Sequence, residues 1–138
     1  MTVDAFATWL PVAPAGDEPV DVFDLLTAGG DELRTLWDMV WTADVDHRTL
    51  ELCRTRIATM VAGTPTPSSD AVTDAQRAAV AFAEQFVLDP HGCTDEQMLG
   101  LQDHYTPEQL ATLTIAIAVF DALARVHAVL AQPEEDVQ

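Results

Sequence analysis

Residues 47–63 read HRTLELCRTRIATMVAG, and this stretch determines how the rest of the chain is interpreted. Asp44 or Asp46 is placed to cap the start of a helix, and Gly63 with Pro65 is placed to end it. Between these signals the apolar side chains recur every three or four residues, the period of one buried helix face. They are Leu50, Cys53, Ile57, Met60 and Val61. The stretch therefore predicts an amphipathic helix that runs into a loop.

Periodicity and capping predict four further helices. Residues 31–43 carry a complete apolar stripe that ends in Val40 and Trp41. Three Thr residues each stand three positions before a Gln, the capping-box arrangement in which the Thr oxygen and the Gln side chain each satisfy a backbone N–H. These are Thr73, Thr94 and Thr106, and they predict helices over 73–88, 94–104 and 106–131.

The last predicted helix contains an ambiguity, because residues 112–120 alternate and are rich in branched side chains, as in a strand. The length of the run and its Thr106 cap favour a helix. Its middle is apolar nearly all round, which predicts a central helix covered on most sides. We expect this helix to be too short, and too polar at its flanks, to cross a bilayer.

The predicted helices define an all-α fold of five to six helices. Residues 1–30 form an arm with a short helix over 21–27, residues 31–131 form the helical domain, and residues 132–138 form an acidic tail. The bulky apolar residues of the arm indicate that it lies across its own core or a neighbouring subunit.

Charge limits the classes of partner. The 138-residue chain has 23 Asp and Glu, six Arg and no Lys, and a formal net charge of −17. Such a chain repels phosphate backbones and anionic lipids, so we expect neither a nucleic acid nor a membrane partner. The first ten residues carry no secretory signal, which predicts a cytoplasmic protein. Cys53 and Cys93 have neither redox-pair nor zinc-site spacing, and we interpret them as buried reduced thiols.

Three segments resemble one protein family in the correct order. The segment LELCRTRIATMVAG, residues 50–63, resembles the E-L-x-R-L-R-V-A-x-L-x-G signature of the carboxymuconolactone decarboxylase / alkylhydroperoxidase-D-like (AhpD-like) family. The segments TDAQRAAVAFAEQF and LTIAIAVFDALARVH resemble two later segments of that family. The resemblance covers residues 33 to 130 and implies an AhpD-like helical bundle that forms dimers, trimers or hexamers, with an active site near the helix that carries Glu51.

The same resemblance implies that the redox centre is missing. Redox members carry the pattern E-x11-C-x-x-C-x-x-x-H. Counting from Glu51 places the two Cys positions at Gly63 and Thr66 and the His position at Asp70. None of these residues supplies a thiolate, and Asp70 cannot replace an imidazole as a near-neutral base. The chain is therefore expected to lack dithiol peroxidase chemistry.

The helix predicted over residues 47–63 retains residues for acid–base chemistry in place of dithiol chemistry. Glu51 is the candidate base, His47 lies one turn earlier on the same face, and Arg54 is a candidate partner for an anionic substrate. The structural alternative is that Glu51 only pairs with Arg48, Arg54 or Arg56. The pattern also allows a metal site formed by His47, Glu51 and Asp44 or Asp46, although three ligands in fixed geometry do not follow from it.

Other titratable residues have simpler interpretations. His91 and His104 are expected to be capping or surface residues, and His127 a hydrogen-bonded core or interface residue. Asp121 lies within an apolar run, so we expect an ion pair with Arg125 at i+4 or, as the alternative, a carboxylate in a pocket.

Two functions remain open. One is a small-molecule-binding or assembly protein that forms homo-oligomers, has no cofactor or metal, and has a small organic acid as a candidate ligand. The other is a cofactor-free decarboxylase-type lyase or hydrolase that uses Glu51, with a peroxidase-related enzyme as a further alternative. An enzyme predicts that Glu51 points into an apolar pocket, whereas a binding or structural role predicts that arginines hold Glu51.

Overall fold

A computed structural model of the chain describes residues 7–8, 20–21, 28–42, 44–64 and 72–130. Within these residues there are five α-helices, one short 3₁₀ turn at Pro90–Gly92 and one pair of two-residue strands. The helices are α1 (Gly30–Thr42), α2 (His47–Ala62), α3 (Asp74–Leu88), α4 (Asp95–Gln102) and α5 (Pro107–Leu130). The all-α class and the five predicted helices are confirmed.

The helical pattern did not predict a short antiparallel ladder. Strand β1 (Ala7–Thr8) pairs with β2 (Val20–Asp21), with Ala7 opposite Asp21 and Thr8 opposite Val20. β1 also lies close to α5. Asp21, the first residue of the predicted helix over 21–27, therefore belongs to a strand, and residues 22–27 lie outside the described residues. Residues 1–6 and 9–19 of the arm, residues 65–70 of the loop and the tail over 132–138 lie outside them as well.

Side-chain caps fix where α2 begins and ends. Asp46, and not Asp44, is the N-cap: its Oδ2 accepts a hydrogen bond from the Thr49 backbone N–H at 3.2 Å. Gly63 ends the helix with a φ of 75°, a left-handed conformation that glycine adopts without a Cβ clash. Its N–H and that of Thr64 bond back to the last carbonyls of the helix.

The predicted capping boxes are complete at two of the three sites. At Thr73 and Thr106 the Thr side chain accepts from the Gln backbone and the Gln side chain accepts from the Thr backbone. At Thr94 the Thr oxygen accepts from the Gln97 N–H at 3.1 Å. Gln109 also donates to the Asp44 carbonyl at 2.9 Å, which ties the start of α5 to the segment between α1 and α2.

The core lies where α2 packs between α5 and α3. The fully buried positions of α5 recur at three- and four-residue intervals, as one helix face requires, and this confirms a helix over 112–120. The largest fully buried side chains come from α2, α4 and α5, and they are Leu50, Cys53, Ile57, Leu101, Leu113 and Ile117.

The surface of α5 departs from the prediction that the helix is covered on most sides. One mostly apolar face remains open to solvent, and the exposed side chains of Glu108 and Arg125 border it. It consists of Ala111, Ile115, Ala122, Val126 and Val129, which we call the α5 stripe, with the partly exposed Ala118 between them.

The expectation that α5 is too short to cross a bilayer is wrong as regards its length. The helix has 24 residues and a stretch of mean hydropathy 1.8, so by length and composition alone it is able to span one. A central helix of a soluble domain meets the same two conditions, and the face of α5 toward α2 is buried in the core.

Candidate functional site

Glu51 pairs with Arg54 one turn later on α2. The Arg54 Nη2 lies 3.1 Å from the Glu51 Oε1, and the two side chains are 29% and 46% exposed. An ion pair this close to solvent contributes little, about 0 to 1 kcal/mol, because water and salt screen it. The structure thus brings together two of the three candidate catalytic residues.

His47, the third candidate, has a different partner. Its Nε2 forms a hydrogen bond with the Trp41 carbonyl at the end of α1, and its ring meets the Trp41 ring edge to face at a centroid distance of 5.7 Å. A carbonyl oxygen only accepts, so Nε2 must carry the proton in this bond. His47 therefore anchors the start of α2 to α1, and this hydrogen bond does not direct it toward Glu51.

Arg56 and Arg125 form ion pairs away from Glu51. Arg56 Nε lies 2.7 Å from Glu84 Oε2 and joins α2 to α3. Arg125 Nε lies 2.9 Å from Asp121 Oδ1, which confirms the predicted i, i+4 ion pair; the Asp121 side chain is 20% exposed. Asp121 is absent from the residues that line the cleft described next.

A half-open cleft of about 220 Å³ lies where α1, α2 and α5 meet. Its walls are mostly apolar. They include two basic residues, Arg54 and His127. The full lining is Trp37, Arg54, Ala58, Phe120, Leu123, Ala124 and His127. Glu51 is therefore beside the cleft, joined to it through Arg54, and is not one of its walls.

Aromatic packing holds one wall of the cleft in place. The rings of Trp37 and Phe120 meet edge to face with centroids 5.5 Å apart, and Trp41 contacts both of them. Such contacts between partly buried rings contribute about 0.5 to 1.5 kcal/mol each beyond the burial of their area. The wall is thus preformed.

The sequence contained a signal for this cleft. Ala58 follows Arg54 by four residues, and His127 follows Ala124 by three, so each pair shares a helix face. Alanines at a contact between two helices leave space that larger side chains would fill. The sequence predicts a core or interface position for His127, yet His127 is exposed at the cleft.

Burial makes Cys53 a poor nucleophile. Cys53 is fully buried in the core, and desolvation raises the pKa of its thiol to about 12. The Cys93 pKa is also raised by burial, and its Sγ lies 3.4 Å from the Met98 Sδ. Neither cysteine forms a disulfide. Since the thiolate is the reactive form, the structure offers no activated thiol among these residues.

A partly buried polar cluster around Tyr105 contacts the start of α3 and, through Thr49, the start of α2. The Tyr105 hydroxyl donates to the Ala75 carbonyl at 2.8 Å, and burial is the main cause that raises the Tyr105 pKa. The hydroxyl of Thr49, the one buried polar residue of the described core, donates to Asp46 Oδ2 at 3.3 Å. These bonds satisfy the groups that make them, so the cluster stabilises the fold.

The described residues contain no group of three or more His, Cys, Asp or Glu that could hold a metal ion. His91 lies in the 3₁₀ turn, and His104 lies beside Tyr105; both are exposed, as expected.

The described part of the chain is thus an all-α bundle in which a small apolar cleft is lined by two basic residues, Arg54 and His127. No protein-family model matches the chain, and neither a curated protein nor a solved structure is significantly similar to it.

Proposed function

We propose that the protein binds a small, largely apolar molecule in the cleft between α1, α2 and α5. One observation carries the proposal: a preformed aromatic wall borders a half-open space of about 220 Å³. Binding sites for small molecules are concave and mostly apolar, with a few polar groups that fix orientation. The cleft is smaller than a typical drug-sized site, so the ligand is expected to be small.

The contacts of Glu51 favour binding over the alternative lyase or hydrolase. Glu51 is paired with Arg54, and it does not line the cleft. A general base must come within hydrogen-bond reach of the proton that it removes. The buried Cys53, with its raised pKa, gives no support to a peroxidase-related activity.

Binding of fluorobenzene, a neutral apolar probe, tests this proposal. Fluorine NMR of fluorobenzene should show line broadening with the wild-type protein. Ala58→Trp places an indole in the cleft, so we expect at least about tenfold weaker broadening. Ala81→Trp is the matched control, because Ala81 is exposed in the middle of α3 and does not line the cleft. Equal broadening by all three proteins would contradict the proposal.

We also propose that the chain belongs to the AhpD-like family as a member without the dithiol, that it is cytoplasmic, and that it forms homo-oligomers. The order of the five helices is compatible with the three segments that carry the resemblance. The α5 stripe supports assembly, because an exposed apolar stripe that runs from Ala111 to Val129 is unusual at the surface of a monomer. The two proposals, binding and assembly, are compatible.

A further inference from the structure

The charges around the cleft differ from those of the rest of the chain. Asp and Glu number 23 in the sequence, yet none lines the cleft, whereas Arg54 and His127 both do. The chain has only six Arg and a net charge of −17, so a cleft lined by two basic residues and no acidic one differs from its average surface. We propose that the ligand carries one carboxylate, and that this carboxylate displaces Glu51 from Arg54 on binding.

Arg54 has the geometry for this exchange. A guanidinium group has five N–H donors in a planar fork that matches both oxygens of a carboxylate. Glu51 accepts from the Arg54 Nη2 over 3.1 Å, so a ligand carboxylate that uses both donors of this edge takes the position that Glu51 holds. Both side chains are partly exposed, so the internal pair is weak and its exchange for a ligand carboxylate costs little.

The apolar walls and the total charge define the rest of the ligand. Trp37, Phe120 and Leu123 provide surfaces for one ring or a short alkyl chain, and a volume of about 220 Å³ leaves little more room. A second anionic group would meet the repulsion of the acidic chain without a second permanent cation to bind it. The expected class is therefore a small aromatic or aliphatic monocarboxylic acid.

Phenylacetate and phenylacetamide, which share a shape and differ in charge, test the inference by competition with fluorobenzene. Wild-type protein is expected to bind the acid about five- to tenfold more tightly than the amide, since a hydrogen bond to a charged group is the stronger one. Arg54→Met should remove this preference, so that the ratio of the two affinities falls to about one. Arg56→Met is the matched control, because Arg56 lies on the same helix outside the cleft and should leave the preference unchanged.

A second variant tests whether the ligand carboxylate displaces Glu51 from Arg54. Glu51→Gln removes the internal competitor, so phenylacetate is expected to bind about two- to fivefold more tightly, with no change for phenylacetamide. Glu84→Gln, which removes the partner of Arg56, is the control and should change neither affinity. An unchanged or weaker affinity of Glu51→Gln for phenylacetate overturns the displacement.

This inference rests on the proposed function, and the two fail differently. If fluorobenzene binds but phenylacetate binds no better than phenylacetamide, the carboxylate inference is overturned and the binding function stands. If fluorobenzene does not bind to the wild-type cleft, the proposed function is overturned as well.

Discussion

Two residues of α2, Glu51 and Cys53, are close in sequence but differ in environment. Glu51 is partly exposed and pairs with Arg54, whereas Cys53 points into the core and is fully buried. The apolar periodicity of residues 47–63 was enough to predict the buried position of Cys53. It was not enough to select among Arg48, Arg54 and Arg56 as the partner of Glu51, because that choice depends on side-chain rotamers and on the helices that pack nearby.

Cys53 is expected to make stability depend on pH in alkaline solution. Its pKa is about 12 in the folded protein and 9.0 in the reference state, so the unfolded chain loses this proton first as the pH rises. The free energy of unfolding should then fall by about 1.4 kcal/mol for each pH unit above 9, until the folded thiol also ionises. Urea unfolding at about pH 8 and about pH 10 measures this loss.

Alanine variants isolate the contribution of Cys53. Cys53→Ala is expected to lower stability at both pH values, because it empties core volume, and to reduce the loss between them by about 1.4 kcal/mol. Cys93→Ala should reduce the loss less, because Cys93 is only partly buried. If Cys53→Ala loses as much stability as the wild type over this range, the thiol does not cause the effect.

Among the elements, helix ends were the best-predicted feature and tertiary contacts the least. Thr73, Thr94 and Thr106 each begin a helix where the sequence indicates, because capping involves residues only three positions apart. The bond from Gln109 to the Asp44 carbonyl joins residues 65 positions apart, so no local pattern encodes it. The cleft has the same origin, since it forms where three helices meet.

The Thr106 cap should contribute more to stability than the Thr94 cap. Thr106→Ala removes the oxygen that accepts from the Gln109 backbone and is expected to cost about 1 to 2 kcal/mol, because Gln109 also holds Asp44. Thr94 caps the short α4, and Thr94→Ala is expected to cost about 0.5 to 1 kcal/mol. Urea unfolding measures both losses, and Thr106→Ser, which keeps the oxygen, is the control. Equal losses for the two alanine variants would contradict this order.

For the whole molecule, the sequence predicted which residues are helical but not which helix face stays uncovered. Residues 113–123 are apolar nearly all round, so periodicity alone cannot distinguish the face that packs on α2 from the α5 stripe. Leu113 is fully buried, while Ile115, two positions later, is 49% exposed. That difference is set by the position of the neighbouring helices.

The α5 stripe predicts reversible self-association that strengthens with salt. Two copies that each carry a net charge of −17 repel each other, whereas contact between their two α5 stripes removes apolar surface from water and favours association. Added KCl screens the repulsion and leaves apolar contact intact, so the dissociation constant should fall by about tenfold or more between about 0.05 M and about 0.5 M KCl. Sedimentation equilibrium measures this change.

A charge placed in the stripe distinguishes this face from the rest of the surface. In Ile115→Asp, association through the stripe would bury a carboxylate between two copies. The variant is therefore expected to remain monomeric at both salt concentrations. Leu99→Asp is the control, because Leu99 is 62% exposed on α4, outside the stripe, and its replacement should leave association unchanged. A wild-type chain that is monomeric at both concentrations would contradict assembly, and loss of association in both variants would contradict the choice of this face.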